Sequence, residues 1–253
     1  MAEFLASLAI HGLSGSRHSP PERYGRRLLP GIPHQDDGRG CFERSRKIHH
    51  SRHPAMDINA SKPLVGKPPI GLSDFPELIR EGYSYVDKSL LVQSVLDSPA
   101  KALLLPRPRR FGKTLNLSML RTFFEQGAPG NAELFRGLAI ERAGEEYTAH
   151  QGRYPVVFLT LKDIKTQSWE NCLGHMKDLI CEEFERHTDL LEAAALSRRE
   201  KECYQVILSQ QASQNYYESS LKNLLAWLER ATGEQVVLLI DEYDTPIHAG
   251  YQE

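Results

Sequence analysis

Leu103-Leu104-Leu105-Pro106-Arg107-Pro108-Arg109-Arg110-Phe111-Gly112-Lys113-Thr114 is the stretch on which the reading of this 253-residue chain turns. Ala102 to Leu105 is a short apolar run between Pro99 and Pro106, consistent with a buried strand. Residues 106 to 112 form a loop. Residues 113 to 125 carry a helical pattern, with Leu115, Leu117, Met119, Leu120, Phe123 and Phe124 as its apolar set, and Gly127, Pro129 and Gly130 break it. Strand, loop and helix in that order are what a phosphate-binding loop demands. Gly112 has no side chain to keep backbone N–H groups from a phosphate. The helix N-terminus turns its positive dipole end toward the same place. Lys113 stands where the β- and γ-phosphates need a cation, and Thr114 where Mg²⁺ needs a hydroxyl. The candidate nucleotide-binding set is therefore Arg109, Arg110, Phe111, Gly112, Lys113, Thr114 and Leu115. One position departs from Gly-x-x-x-x-Gly-Lys-[Ser/Thr]: Arg107 occupies the first glycine's place. Two roles are open to Arg107, Arg109 and Arg110, binding phosphate or pairing with acids of a neighbouring element.

A second motif lies far downstream. Val236-Val237-Leu238-Leu239-Ile240-Asp241-Glu242 has the form of a Walker B strand. An acid at such a strand's C-terminal end holds Mg²⁺, directly or through water, so Asp241 joins Thr114 as a candidate metal ligand. Glu242 is placed to orient or deprotonate an attacking water and is the candidate catalytic residue. Either motif alone is better explained as a buried strand beside a polar loop. Both together, in this order, favour a P-loop.

Between the motifs, strand and helix patterns alternate. Val156 to Leu161 reads as a strand, Trp169 to His187 as a long amphipathic helix, and Ser197 to Ser209 and Ser220 to Ala231 as two more. Upstream, Ser73 is an N-cap for a short helix with Phe75, Leu78 and Ile79 on its apolar face, ended by Gly82. Tyr83 to Val86 reads as a short strand, and Asp87 as the cap of a helix across Leu90, Leu91, Val95 and Leu96. The expected fold class is α/β: a three-layer P-loop NTPase fold with a mostly parallel, incomplete sheet.

Composition sets outer bounds. Forty per cent hydrophobic and 25% charged residues fit a soluble globular chain, and a net charge of −2 favours no nucleic-acid role over any other. No apolar run approaches the roughly 20 residues of a membrane span, and the opening segment lacks a basic n-region, so a cytoplasmic protein is expected. Four cysteines, Cys41, Cys172, Cys181 and Cys203, form no Cys-x-x-Cys pair and argue against both zinc and a disulfide framework. His150, His175, His187 and His248 show no ligand spacing and read as surface groups. Trp169 and Trp227 read as core, and Lys88 as a solvated lysine. Residues 1 to 55 hold 9 Lys+Arg against 5 Asp+Glu, with six of the ten histidines and 11 Gly or Pro. Without a hydrophobic period, they read as a disordered basic segment reaching residue 60. The alternative is a true start at Met56.

These residues also carry a resemblance. Pro69-Ile70-Gly71-Leu72-Ser73-Asp74-Phe75, Tyr85-Val86-Asp87-Lys88-Ser89, Arg107 to Asn116, Tyr154-Pro155-Val156-Val157-Phe158-Leu159 and Leu239-Ile240-Asp241-Glu242-Tyr243-Asp244-Thr245-Pro246 together resemble the AAA-ATPase-like domain. That domain belongs to bacterial and archaeal proteins that often carry a C-terminal PD-(D/E)xK nuclease-type domain. The family has arginine at the place of Arg107. The resemblance implies Mg-ATP binding and hydrolysis over a domain at residues 61 to 253, and nucleic acid as a partner only through the nuclease-like domain. In similar ATPases a strand between the two motif strands, a polar sensor and arginine fingers come later in sequence. The expectation is therefore a domain truncated after the Walker B strand, with weak binding and impaired hydrolysis. Two competing readings stand beside it: a non-catalytic nucleic-acid-binding module, supported by Arg107, Arg109, Arg110 and the basic tail, and a decayed fragment without function. Base preference, oligomeric state, pathway and target leave no readable signal.

Overall fold

The computed structural model describes residues 66–105, 111–166 and 168–250, of which the side chains of 248–250 are excepted. The basic N-terminal segment and Arg107, Arg109 and Arg110 lie outside the described residues.

The chain builds from short helices toward a strand. Helix α1, Phe75–Arg80, starts at Asp74 rather than at Ser73, because the Asp74 carboxylate accepts the Glu77 N–H at 2.9 Å. Helix α2 is Leu91–Leu96 and α3 is Lys113–Phe124. Ser118 Oγ of α3 accepts the Phe75 N–H at 2.9 Å and donates to Asp74 Oδ2 at 3.3 Å, which fastens α1 to α3. Two 3₁₀ turns, Ala132–Phe135 and Ala139–Arg142, precede the single turn α4, Glu145–Thr148. Strand β1 is Val156–Thr160. Then come α5, Trp169–Glu185, a 3₁₀ turn at Thr188–Leu191, α6, Arg198–Leu208, and α7, Gln214–Thr232. Strand β2, Val237–Asp241, and α8, Thr245–Gly250, end the described chain.

The two strands pair in parallel, from Val156 opposite Val237 to Thr160 opposite Asp241. A parallel pair needs a crossover, and α5, α6 and α7 supply it. Side chains alternate across the pair, and the alternation divides the core. Val156, Val237 and Leu239 face α1, α2, α3 and the turns after them, with Phe158 packed alongside. Val157, Leu159 and Leu238 face α5, α6 and α7, joined by Phe184, Tyr204, Leu224 and Trp227. Helices thus cover both faces of a small parallel sheet in a mixed α/β chain.

The far edge of β1 is closed by a side chain. Every second N–H of a parallel strand points away from its neighbour. The Phe158 N–H donates instead to Glu183 Oε1 of α5 at 3.1 Å. Glu183 is buried and also accepts from Arg186 Nη1 at 2.8 and 2.7 Å and meets His187 Nε2 at 3.2 Å. An unpaired edge invites pairing with other chains, and this carboxylate occupies one of its donors.

Some local expectations fail for identifiable reasons. Ala102 to Leu105 forms no strand and holds only a bridge at Ala102, since no described strand runs beside it. It keeps the expected alternation: Leu103 and Leu105 pack on the core and Leu104 is exposed. Tyr83 to Val86 forms no strand, because only the Ser84 N–H bonds to the neighbouring segment, at Lys67 O. Asp87 does not cap α2, whose N-cap position is Leu90. Trp169 is 56% exposed at the first turn of α5, not core, whereas Trp227 is buried as expected. His150 and His187 are half-buried rather than surface groups, bonded to Tyr154 and Glu183 respectively.

Candidate functional site

The start of α3 is built by one glycine. Gly112 takes φ 73° and ψ 33°, left-handed values that Gly adopts without a Cβ penalty. Its carbonyl accepts the Asn116 N–H at 2.9 Å and closes the first turn. Among the described residues no side chain caps α3, and its first turn holds no acid. The backbone N–H groups of Lys113, Thr114 and Leu115 have no bonding partner among the described residues. These are the orphan donors of a helix start, and the positive end of the dipole adds to them. The Lys113 and Thr114 side chains are half-buried and unpartnered among the described residues. Phe111, immediately before the turn, is 59% exposed.

A second element reaches this turn. Lys88 Nζ lies 3.5 Å from the Phe111 carbonyl oxygen. A methyl group placed on Gly112 would meet the same ammonium at 3.8 Å. The backbone beneath Lys88 is held on three sides. Asp87 accepts the Ser89 N–H at 2.8 Å and the Ala139 N–H at 2.7 Å. Ser89 Oγ, fully buried, accepts the Ile140 N–H at 3.0 Å. Tyr85 Oη accepts the Lys88 N–H at 3.4 Å, and its ring stands edge-on to Phe75 with centroids 5.5 Å apart. Burial pushes the Tyr85 phenol up to about 12, so it stays protonated at neutral pH. Lys88, read from sequence as solvated, is thus part of the loop's surroundings. The available signal was Asp87 two residues before Ser89, the spacing of an Asx turn.

The other half of the site is the end of β2. Asp241 is its last residue and is only 2% exposed. Its Oδ2 is buried with no hydrogen-bond partner among the described residues. Glu242 follows at φ 50°, one of two non-glycine residues with positive φ among those described. That conformation costs about 1–2 kcal/mol for an L-residue. The Glu242 carbonyl accepts the Thr245 N–H at 3.0 Å, and its Oε2 accepts from Thr245 Oγ1 at 3.3 Å, so the turn into α8 holds the strained residue.

Helix α3 packs against both β1 and β2, which sets the two motifs on adjacent elements. No hydrogen bond or ion pair among the described residues joins Lys113 or Thr114 to Asp241 or Glu242. The donors present, a buried carboxylate oxygen and a threonine hydroxyl, are hard oxygens of the kind Mg²⁺ takes. No group of three or more His, Cys, Asp or Glu that could hold a metal occurs among the described residues. Mg²⁺ at nucleotide sites needs only one or two carboxylates beside phosphates and water. No described helix is long and apolar enough to cross a membrane.

The arrangement defines a class: an α/β chain with helices on both faces of parallel strands, in which a helix with a lysine-led start, uncapped among the described residues, packs against a strand that ends in acids. The sequence matches the model of the AAA-ATPase-like family, described as "Predicted AAA-ATPase", over residues 69–253, and the chain belongs to that family. It is 30% identical over 183 residues to an uncharacterized protein in the vnfD 5′ region of Azotobacter chroococcum mcd 1. The match takes in 72% of this chain and 30% of that protein's length. No solved structure matches significantly.

Proposed function

We propose that the chain is an ATP-binding module of the P-loop class, with the phosphates at the start of α3 and Mg²⁺ between Thr114 and Asp241. The observation that carries this reading is the buried, unpartnered Asp241 Oδ2 at the end of β2, beside α3. A buried carboxylate oxygen without a partner is destabilising, and a cation or donor that meets it offsets that cost; Mg²⁺ is the cation that suits a site shared with phosphate. The N–H groups of Lys113, Thr114 and Leu115 bind phosphate oxygens, with Gly112 allowing the approach. Lys113 neutralises the β- and γ-phosphates, and Arg109 and Arg110 add charge to the same loop. Phe111 sits at the loop's exposed shoulder. Glu242, fixed by the Thr245 turn, orients or deprotonates a water. Bound Mg²⁺ supplies charge neutralisation at the phosphates.

Calorimetry of Mg·ATP on the full chain tests the reading. Lys113→Ala, which removes a charged phosphate contact of roughly 1.5–3 kcal/mol, is expected to weaken binding at least tenfold. A folded wild-type chain that takes up no Mg·ATP, or a Lys113→Ala variant that binds as wild type, rejects it.

A further inference from the structure

We infer that Lys88 is a second phosphate-binding lysine of this site, brought to the loop by a different element from the one that carries Lys113. The inference rests on the nucleotide-binding reading above and extends it to a residue outside the motif. Its ammonium stands 3.5 Å from the Phe111 carbonyl and beside Gly112. One long contact to a carbonyl engages one of three N–H donors. No carboxylate forms an ion pair with Lys88 among the described residues. The acid next to it in sequence forms no ion pair with it, and the Asp87 oxygens accept the Ser89 and Ala139 N–H groups instead.

The charges around Gly112 therefore share one sign. Lys88 approaches from one side, Lys113 follows on the helix, and the first turn of α3 adds its positive dipole end with no acid to offset it. Like charges gathered in a partly desolvated place are unfavourable unless an anion lies among them. A second observation points to the same ligand: the half-buried Lys113 and the buried Asp241 Oδ2 are both unpartnered, and a polyphosphate carrying a divalent cation satisfies them together. The backbone at Lys88 is fixed in advance by Tyr85, Asp87 and Ser89, so only the side chain has to be ordered when the ammonium is engaged.

The test is the affinity of the full chain for ATP, ADP and AMP, each with Mg²⁺, for wild type, Lys88→Ala, Lys88→Arg and Lys113→Ala, with thermal melts to compare folding. A direct phosphate contact predicts that Lys88→Ala lowers ATP affinity about tenfold to a hundredfold. The ratio of ATP to AMP affinity falls with it, and Lys88→Arg restores most of that ratio. A structural role would weaken all three nucleotides alike, and an unchanged ratio overturns the inference whatever the absolute affinities. Loss of binding in Lys113→Ala with wild-type behaviour in Lys88→Ala overturns it while leaving the nucleotide site standing. No binding by the folded wild type overturns both.

Discussion

Asp241 carries a conflict that a single substitution exposes. Its side chain is buried and one carboxylate oxygen has no partner. Desolvating an ionised oxygen without compensation is unfavourable, and a neutral amide of the same shape suffers less. Asp241→Asn is therefore expected to raise the stability of the nucleotide-free chain by about 1 kcal/mol, read as a higher urea midpoint at unchanged slope. The same variant should lose the Mg²⁺ dependence of ATP binding. A lowered midpoint would mean that the carboxylate is held by contacts that stabilise the fold. Glu242 beside it is left-handed, a conformation that costs an L-residue about 1–2 kcal/mol. Both acids were legible in the sequence, because an apolar strand running into Asp-Glu needs no knowledge of the fold. Lys88 was legible only as part of a local turn: the Asp87–Ser89 spacing marks the backbone, but the approach to Phe111, 23 residues away, is not encoded there.

Among the elements, α6 shows how a helix end also serves as a tertiary staple. Ser197 and Glu200 form a capping box at its N-terminus. Glu200 Oε1 reaches on to α7, accepting Arg230 Nη2 at 2.7 Å and Trp227 Nε1 at 3.0 Å. The Arg230 guanidinium first, then the Ser197 N–H and hydroxyl, hold the Glu200 carboxyl down at about 2. A depressed carboxylate stabilises the fold above its unfolded value, near 4.5, and that contribution disappears as pH falls toward 2. Arg230 is half-exposed, so screening limits the contribution to about 1 kcal/mol. Urea midpoints of wild type and Glu200→Gln should differ by a constant amount from pH 6 to 8 and converge between about pH 4.5 and 2. A difference that persists undiminished at pH 2 would show that the carboxylate's charge is not what links α6 to α7. The amphipathic period placed α3, α5 and α6 nearly to the residue, and α7 from its seventh residue on, because the six residues before Ser220 carry only Tyr216 and Tyr217 as large side chains among polar ones. Strands were harder. Val156–Thr160 and Val237–Asp241 are apolar enough to declare themselves, whereas Ala102 to Leu105 and Tyr83 to Val86 become strands only if a neighbour supplies a ladder.

At the scale of the whole described fold, two cores share one thin partition. Leu120 of α3 is fully buried in the core on one face of the strand pair and Leu224 of α7 in the core on the other. The partition between them is five residue pairs long, and its alternating side chains belong to both cores at once. Sequence legibility was greatest for this feature, since uninterrupted apolar strands announce burial on both faces. What the strands' composition could not reveal was the register, or that Glu183 would close the β1 edge. If the partition couples the two cores, they melt together. Leu120→Ala and Leu224→Ala should each cost about 2–5 kcal/mol, and each should lower the midpoint of one and the same transition, followed by near-ultraviolet dichroism and by calorimetry. The sites are on opposite faces and share no contacts, so the double variant should lose nearly the sum of the two. Two separated transitions, with Leu224→Ala shifting one and leaving the other in place, would show that the strand pair does not couple the cores. In that case the helix bearing Gly112, Lys113 and Thr114 would keep its fold while the α5–α7 layer melted away, and nucleotide binding would outlast the first transition.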